Sequence, residues 1–585
     1  MRQPSRPSGR RISAAVAAVL ALSLVVTACG GTTAKDAKDK KNLKEEGLDY
    51  KAGESGLDEA GKPTRGGTIV YGVEAESTNG FCLPEGQLAI SGMMVVRAFY
   101  DTLTVPNAQG DYVPYLAKSV EPNATFDEWT ITVRDGIKFH DGTALTGKVV
   151  QNNIDAYRGA YPGRSPLLFT FVLSNIESTS SSGQTVTVKT KVPWVAFPAF
   201  LFSSSRMGIM AQSQLDDPDT CNRKLVGTGP FVFKSWAPND KLVGTANPDY
   251  WQTAPDGKPY PYAKGIEFRP IPDNQVRINS LESSDGANII HTTNAESIGG
   301  DLLKLRDDGK VNMFVSEADG EVSFVQLNST KPPFDDQRMR KALAQGSDRT
   351  EINETQNDGL PTVADGPFAP SSMAFVEDTG FPKYDLEAAK KLVKEYVADG
   401  GKAEFTLTTA IDPDTVRLAE LVQQRAQKLG VKVTIIKRKQ AELVDDAIGK
   451  KYEAMLFRNY PGGDPDINYV WWYGKDNPVN FGGFNDPEIN KLLDEGRSEP
   501  DEAKRKTIYQ NISKQFGKEV WSMWSWYTPW AVVEDANVHN ILGPPLPGDD
   551  PSKAGELTTD DPALQPSPGL AYGHSLIGLW IDGGN

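Results

Sequence analysis

The sequence predicts an α/β protein containing a parallel sheet, on three observations. Between residues 404 and 457 strand and helix patterns alternate without interruption. With 39% hydrophobic residues and 11 tryptophans, the chain can build large cores. Beyond its leader it holds no apolar run approaching about 18 residues, so no other stretch spans a bilayer.

Taken in order, the chain opens with Arg2, Arg6, Arg10 and Arg11 and no acid, then runs apolar through residues 12–26. That is the pattern of a secretory signal peptide. It ends Val26-Thr27-Ala28-Cys29-Gly30, which resembles the lipobox of bacterial lipoproteins. The resemblance implies removal of residues 1–28 and lipid attachment at Cys29. Residues 29–65 then form a charged tether with one aromatic and scattered glycine, expected to be disordered. Cys82 and Cys221 are left as an even pair in an oxidising compartment. A disulfide is expected, two buried free thiols being the alternative.

Order is expected from residues 66–73, a short apolar run of the buried-strand type. A loop containing Asn79 follows, then a helix over 87–100. Residues 129–133 alternate like a strand and turn at Arg134-Asp135-Gly136. Thr146 caps a helix reaching Tyr157, and 184–190 alternate with Val186 and Val188 on one face. Farther on, 404–410, 431–436 and 452–457 read as strands, separated by helices over 415–429 and 440–448, with Gly430 where a C-terminal cap belongs. Strand-helix-strand-helix-strand implies right-handed crossovers, and ligands of such sheets sit beyond the carboxyl ends of the strands.

The third of these strands discharges into Arg458-Asn459-Tyr460-Pro461-Gly462-Gly463-Asp464-Pro465-Asp466, followed by Tyr469-Val470-Trp471-Trp472-Tyr473. Asn459, Tyr460, Asp464, Trp471 and Trp472 are therefore candidate ligand contacts. Trp524 and Trp526, two residues apart on a strand pattern, and Glu76, Asn79 and Phe81 after the first strand complete the set. Packing of the same aromatics into a core or a domain interface is the competing reading.

Charge and motif content exclude other classes. The net charge is -15, falling to about -19 without the four leader arginines, which disfavours nucleic acid and anionic lipid surfaces. His-Glu-x-x-His, Gly-x-Ser-x-Gly and the phosphate-loop pattern are all missing. The four histidines, at 140, 291, 539 and 574, show no metal-ligand spacing, and a structural role is expected for His140. Asp464 and Asp466 could do acid-base work, yet nothing nearby reads as a nucleophile. The chain is expected to be neither an enzyme nor the carrier of a cofactor or metal.

Four blocks carry a family resemblance. Pro114-Tyr115-Leu116-Ala117 leads to the stretch from Trp129 to Thr143, and Gly227-Thr228-Gly229-Pro230-Phe231 leads to Asn247-Pro248-Asp249-Tyr250-Trp251. Pro332-Pro333-Phe334-Asp335-Asp336 runs on to Asp348-Arg349, and the stretch from Tyr384 to Leu392 is the fourth. In order and spacing they resemble the extracytoplasmic solute-binding proteins of family 5, the oligopeptide, dipeptide and nickel receptors of ABC importers. The resemblance spans about residues 66–535. It implies a bilobal, periplasmic-binding-protein-like fold of the class II type, with two α/β lobes, a hinge and an extra domain on the first lobe. Expected boundaries are 66–104, 205–320 and 521–585 for the first lobe with its C-terminal tail, 105–204 for the extra domain and 321–520 for the second lobe. Expected partners are a short peptide or peptide-like ligand and the permease subunits, for a monomeric receptor lipid-anchored outside the cell membrane.

One departure bears on the ligand. Peptide-binding members commonly carry an Asp four residues before the loop proline, which pairs with the ligand's ammonium. Taking Pro465 as that proline, the position holds Pro461. Asp464 replaces it on one reading; on the other, the site does not read a peptide terminus, and an oligosaccharide stacked on tryptophan is the alternative.

Overall fold

The computed structural model describes residues 43, 62–77, 80–86, 88–318, 320–459, 462–541, 543–548, 562–567, 570 and 575–583. The leader with Cys29, most of the tether, and the candidates Asn79 and Tyr460 lie outside the described residues.

Thr68–Val73 lies at the middle of a seven-stranded sheet, with Ile69, Tyr71 and Val73 buried. It pairs parallel with Gly265–Pro270 on one side and Ile289–Thr292 on the other. Lys241–Ala246 and Phe231–Ala237 extend the sheet beyond Gly265–Pro270. Trp530–Asp535 and Val311–Ser316 extend it beyond Ile289–Thr292. The helix expected over 87–100 is confined to Ile90–Val96, all seven residues buried. The apolar run continues to Tyr100, but Ala98 and Phe99 close tighter turns by bonding three residues back. Gly227 and Gly229 lie against this turn. A Cβ on Gly227 would sit 2.1 Å from the Phe99 carbonyl oxygen, so this block allows close backbone approach. His140 accepts from Gly227 N–H at 3.3 Å and bonds Gly229 O at 2.9 Å, tying the same loop down.

Inserted into this lobe, Ala117–Pro122, Glu128–Val133, Thr185–Thr190 and Ile176–Ser182 form a four-stranded antiparallel sheet, in that spatial order. Val186 and Val188 share its buried face, against helix Gly147–Tyr157 whose first turn Thr146 caps. Cys82 and Cys221 are joined, with an S–S distance of 2.06 Å.

The second lobe carries a five-stranded sheet in the order Lys432–Arg438, Glu404–Ala410, Ala454–Asn459, Val322–Leu327, Ser522–Tyr527. The first three are parallel, with helices Pro413–Lys428 and Gln440–Ile448 as crossovers. Gly430 takes φ +78°, the left-handed geometry of a helix end. The chain passes between lobes after the strand ending at Ser316, with 317–318 and 320–321 described, and again at 528–529. The second passage lies later than the 520/521 boundary expected from sequence. The aromatic run beginning at Trp521 contains two strands, and the first, Ser522–Tyr527, pairs with Val322–Leu327 inside the second lobe. At the far end Val538–His539 pairs with Trp580–Ile581, and Thr64 Oγ1 donates to Ile581 O at 2.6 Å. Among the described residues no helix is long and apolar enough to cross a membrane.

Candidate functional site

The carboxyl ends of Thr68–Val73, Ile289–Thr292 and Ala454–Asn459 meet where the chain crosses between lobes, the position expected for a ligand of open α/β sheets. Arg458, near the end of its strand, donates to Glu74 of the first lobe and to Thr293 Oγ1 at 2.5 Å. Its Nε stands 3.5 Å from Glu321 Oε2, on the first crossing segment. Two carboxylates thus face one guanidinium. Burial alone would raise the Glu74 carboxyl, but Arg458, helped by Arg277, outweighs it and holds the group at about 2. Burial also raises Glu321, which Arg458 only partly offsets. His291, fully buried beside Tyr71 and Trp530, is pushed down to about 3 by burial and stays neutral.

Other bonds close the lobes on either side. Asn294 Nδ2 donates to Asp414 Oδ2 at 2.6 Å. Trp194 Nε1 of the inserted domain donates to Asp466 Oδ2 at 2.8 Å, and Val195 N–H donates to Arg497 O at 2.9 Å. Arg497 also stacks over Trp194 and Tyr469 and pairs with Asp466, which is fully buried.

Successive strand residues face opposite ways, and Asn459, next to Arg458, borders a narrow cavity of about 30 Å³. Val322, Phe324 and Gln326 line it from one strand, Phe457 and Asn459 from the next, and Ser522 and Trp524 from the edge strand. Asn468, Trp471, Trp472, Phe481, Phe484 and Pro367 complete the wall. Four sequence candidates, Asn459, Trp471, Trp472 and Trp524, are therefore brought together. Trp472 is largely core, edge-on to Phe368 and Phe516.

The other candidates sit elsewhere. Asp464 caps the 3-10 turn Pro465–Asn468 and is gripped through both oxygens by Arg505, at 2.6 and 2.9 Å. Glu76 accepts from Asn239 N–H at 2.9 Å and from Trp236 Nε1 at 3.3 Å, holding a first-lobe turn. Phe81 is buried edge-on to Trp236. Trp526 does not border the cavity. The pairing register slips between Ser323 and Phe324, placing Ser525 as the extra residue of a bulge between Trp524 and Trp526. Sequence reasoning passed over Glu74 and Glu321, whose partner lies far along the chain, although Glu74 directly follows the first strand.

Residues 111–481 match the model for bacterial extracellular solute-binding proteins, family 5 Middle. Heme-binding protein A of Haemophilus influenzae is 26% identical over 427 residues, 68% of this chain and 76% of its own. Di/tripeptide-binding protein 1 of Pseudomonas aeruginosa is 25% identical over 438 residues, 69% of this chain and 79% of its own. The periplasmic binding protein DppA of Helicobacter pylori, solved with the peptide STSA, superposes with a TM-score of 0.76 at 19% identity, covering 89% of this chain and 99% of that one.

Proposed function

Because the chain belongs to the bacterial extracellular solute-binding proteins of family 5, we propose that it is the substrate-binding component of an ABC importer, capturing short peptides or peptide-like solutes outside the cell membrane and delivering them to the permease. The family's members are binding proteins rather than enzymes. The observation that carries the reading for this chain is the pairing, at the carboxyl ends of the strands, of a charged cluster spanning both lobes with an aromatic cavity beside it. Such a cleft encloses a solute by hinge closure, and affinity follows from preferring the closed state. Glu74 and Glu321 are the carboxylates of this cluster, so the ligand's cationic end sits toward them. Asp464 then serves to hold its loop through Arg505. Asn459, Trp471 and Trp524 contact a ligand side chain.

The receptor acts as a monomer, tethered through lipid on Cys29. A Cys29→Ala variant is released or left unprocessed, and palmitate labelling that survived the change would end this part of the reading. A second reading, an oligosaccharide receptor, draws on Trp471 and Trp524 as stacking surfaces. Native mass spectrometry of protein purified from its own host, with identification of the released ligand, separates the two. A peptide is expected; a sugar would overturn the first reading.

A further inference from the structure

Resting on the peptide reading, we infer that the cavity beside the cleft is a specificity subsite for an uncharged ligand side chain bearing a hydrogen-bond acceptor, which Trp524 Nε1 engages. Two observations converge. Among the described residues lining the cavity none is ionisable; its polar groups are the neutral side chains of Gln326, Asn459, Asn468 and Ser522. Trp524, which borders it, is 2% exposed, and its indole N–H has no hydrogen-bond partner among the described residues. A buried donor left without an acceptor costs free energy, so an acceptor delivered by the ligand is rewarded. Indole N–H is donor only, so the complementary atom is an oxygen or nitrogen lone pair.

Charge is rejected for the opposite reason. A carboxylate or ammonium placed here would leave water without an ionic partner, while Arg458 and its acids are reached only from the other face of the same strand. The best occupant is therefore an amide such as the Gln side chain. Its isostere Glu, alike in shape and bearing acceptors, fails on charge, and Leu brings no acceptor to Trp524.

The test uses three tripeptide series, with Gln, Glu or Leu at the first, second or third position and alanine elsewhere, titrated calorimetrically into the intact receptor and a Trp524→Phe variant. In one series the wild type should bind Gln at least about tenfold more tightly than Glu. In that series Trp524→Phe should weaken Gln by about three- to tenfold more than it weakens Leu. Thermal unfolding followed by circular dichroism reports whether the variant is intact, and the Gln/Glu comparison stands on the wild type alone. Equal binding of Gln and Glu in every series, or equal losses for Gln and Leu in the variant, would overturn the subsite and leave the peptide receptor standing. Failure of all nine peptides to bind would overturn the peptide reading and the subsite with it.

Discussion

Replacing Glu74 by Gln removes the charge that joins the first lobe to Arg458 and keeps the side chain's size. The carboxyl is held at about 2 against an ordinary value of 4.5, a depression of about 2.5 units, or about 3 kcal/mol at 1.36 kcal/mol per unit. The side chain is 21% exposed, so solvent screening brings the figure nearer 2 kcal/mol. Arg277, on the first lobe, supplies part of that depression and stays beside Glu74 when the cleft opens. The share of closure held by the Glu74–Arg458 pair is therefore at most about 2 kcal/mol, and the ligand-free open-to-closed ratio should rise by up to about 30-fold. Glu321 remains on the crossing segment to neutralise Arg458, so the second lobe itself is spared. Small-angle scattering of ligand-free protein at pH 7 should show a larger radius of gyration for Glu74→Gln than for the parent. The sign with pH follows from the depressed value. The pair's contribution is complete above about 4.5 and is lost as pH falls from there toward about 2. The parent should therefore begin to expand as pH drops below about 4.5, through a window where the variant changes little. Equal radii for the two proteins at pH 7, or the same acid expansion in both, would refute the argument.

Asp464→Asn should destabilise the fold by about 2–3 kcal/mol in urea, because Arg505, 8% exposed, loses its ionic partner, while ligand affinity stays within a few-fold. A large affinity loss with unchanged stability would restore Asp464 as a ligand contact. Replacing Cys82 and Cys221 by serine opens a link across 139 positions and should cost about 3–5 kcal/mol, read as a lower urea midpoint. Gly227→Ala should leave little soluble protein, since its Cβ would meet the Phe99 carbonyl at 2.1 Å; a folded variant with parental melting would show that the loop can shift.

The local order of the second lobe was legible because each crossover unit is written in consecutive residues. The strand read at 404–410 is found as Glu404–Ala410 and the helix at 440–448 as Gln440–Ile448, since hydrophobic period and caps act over one or two turns. The aromatic loop after the third strand was also legible as a candidate for a site, because strand order puts ligands at that edge, and the structure sets its Asn459, Trp471 and Trp472 around one cavity. What each residue does there was not. Asp464 looked like a free carboxylate, but Arg505, 41 positions later, folds back onto it. Trp524 and Trp526 looked equivalent, but a bulge set by the neighbouring strand separates them. Composition, local periodicity and turn chemistry were thus settled by the sequence itself. Glu74 and Arg458 stand 384 positions apart, and their pairing depends on two sheets meeting across a cleft. Only the tertiary structure decides such a contact, because no local pattern records which distant side chains share a low-dielectric space.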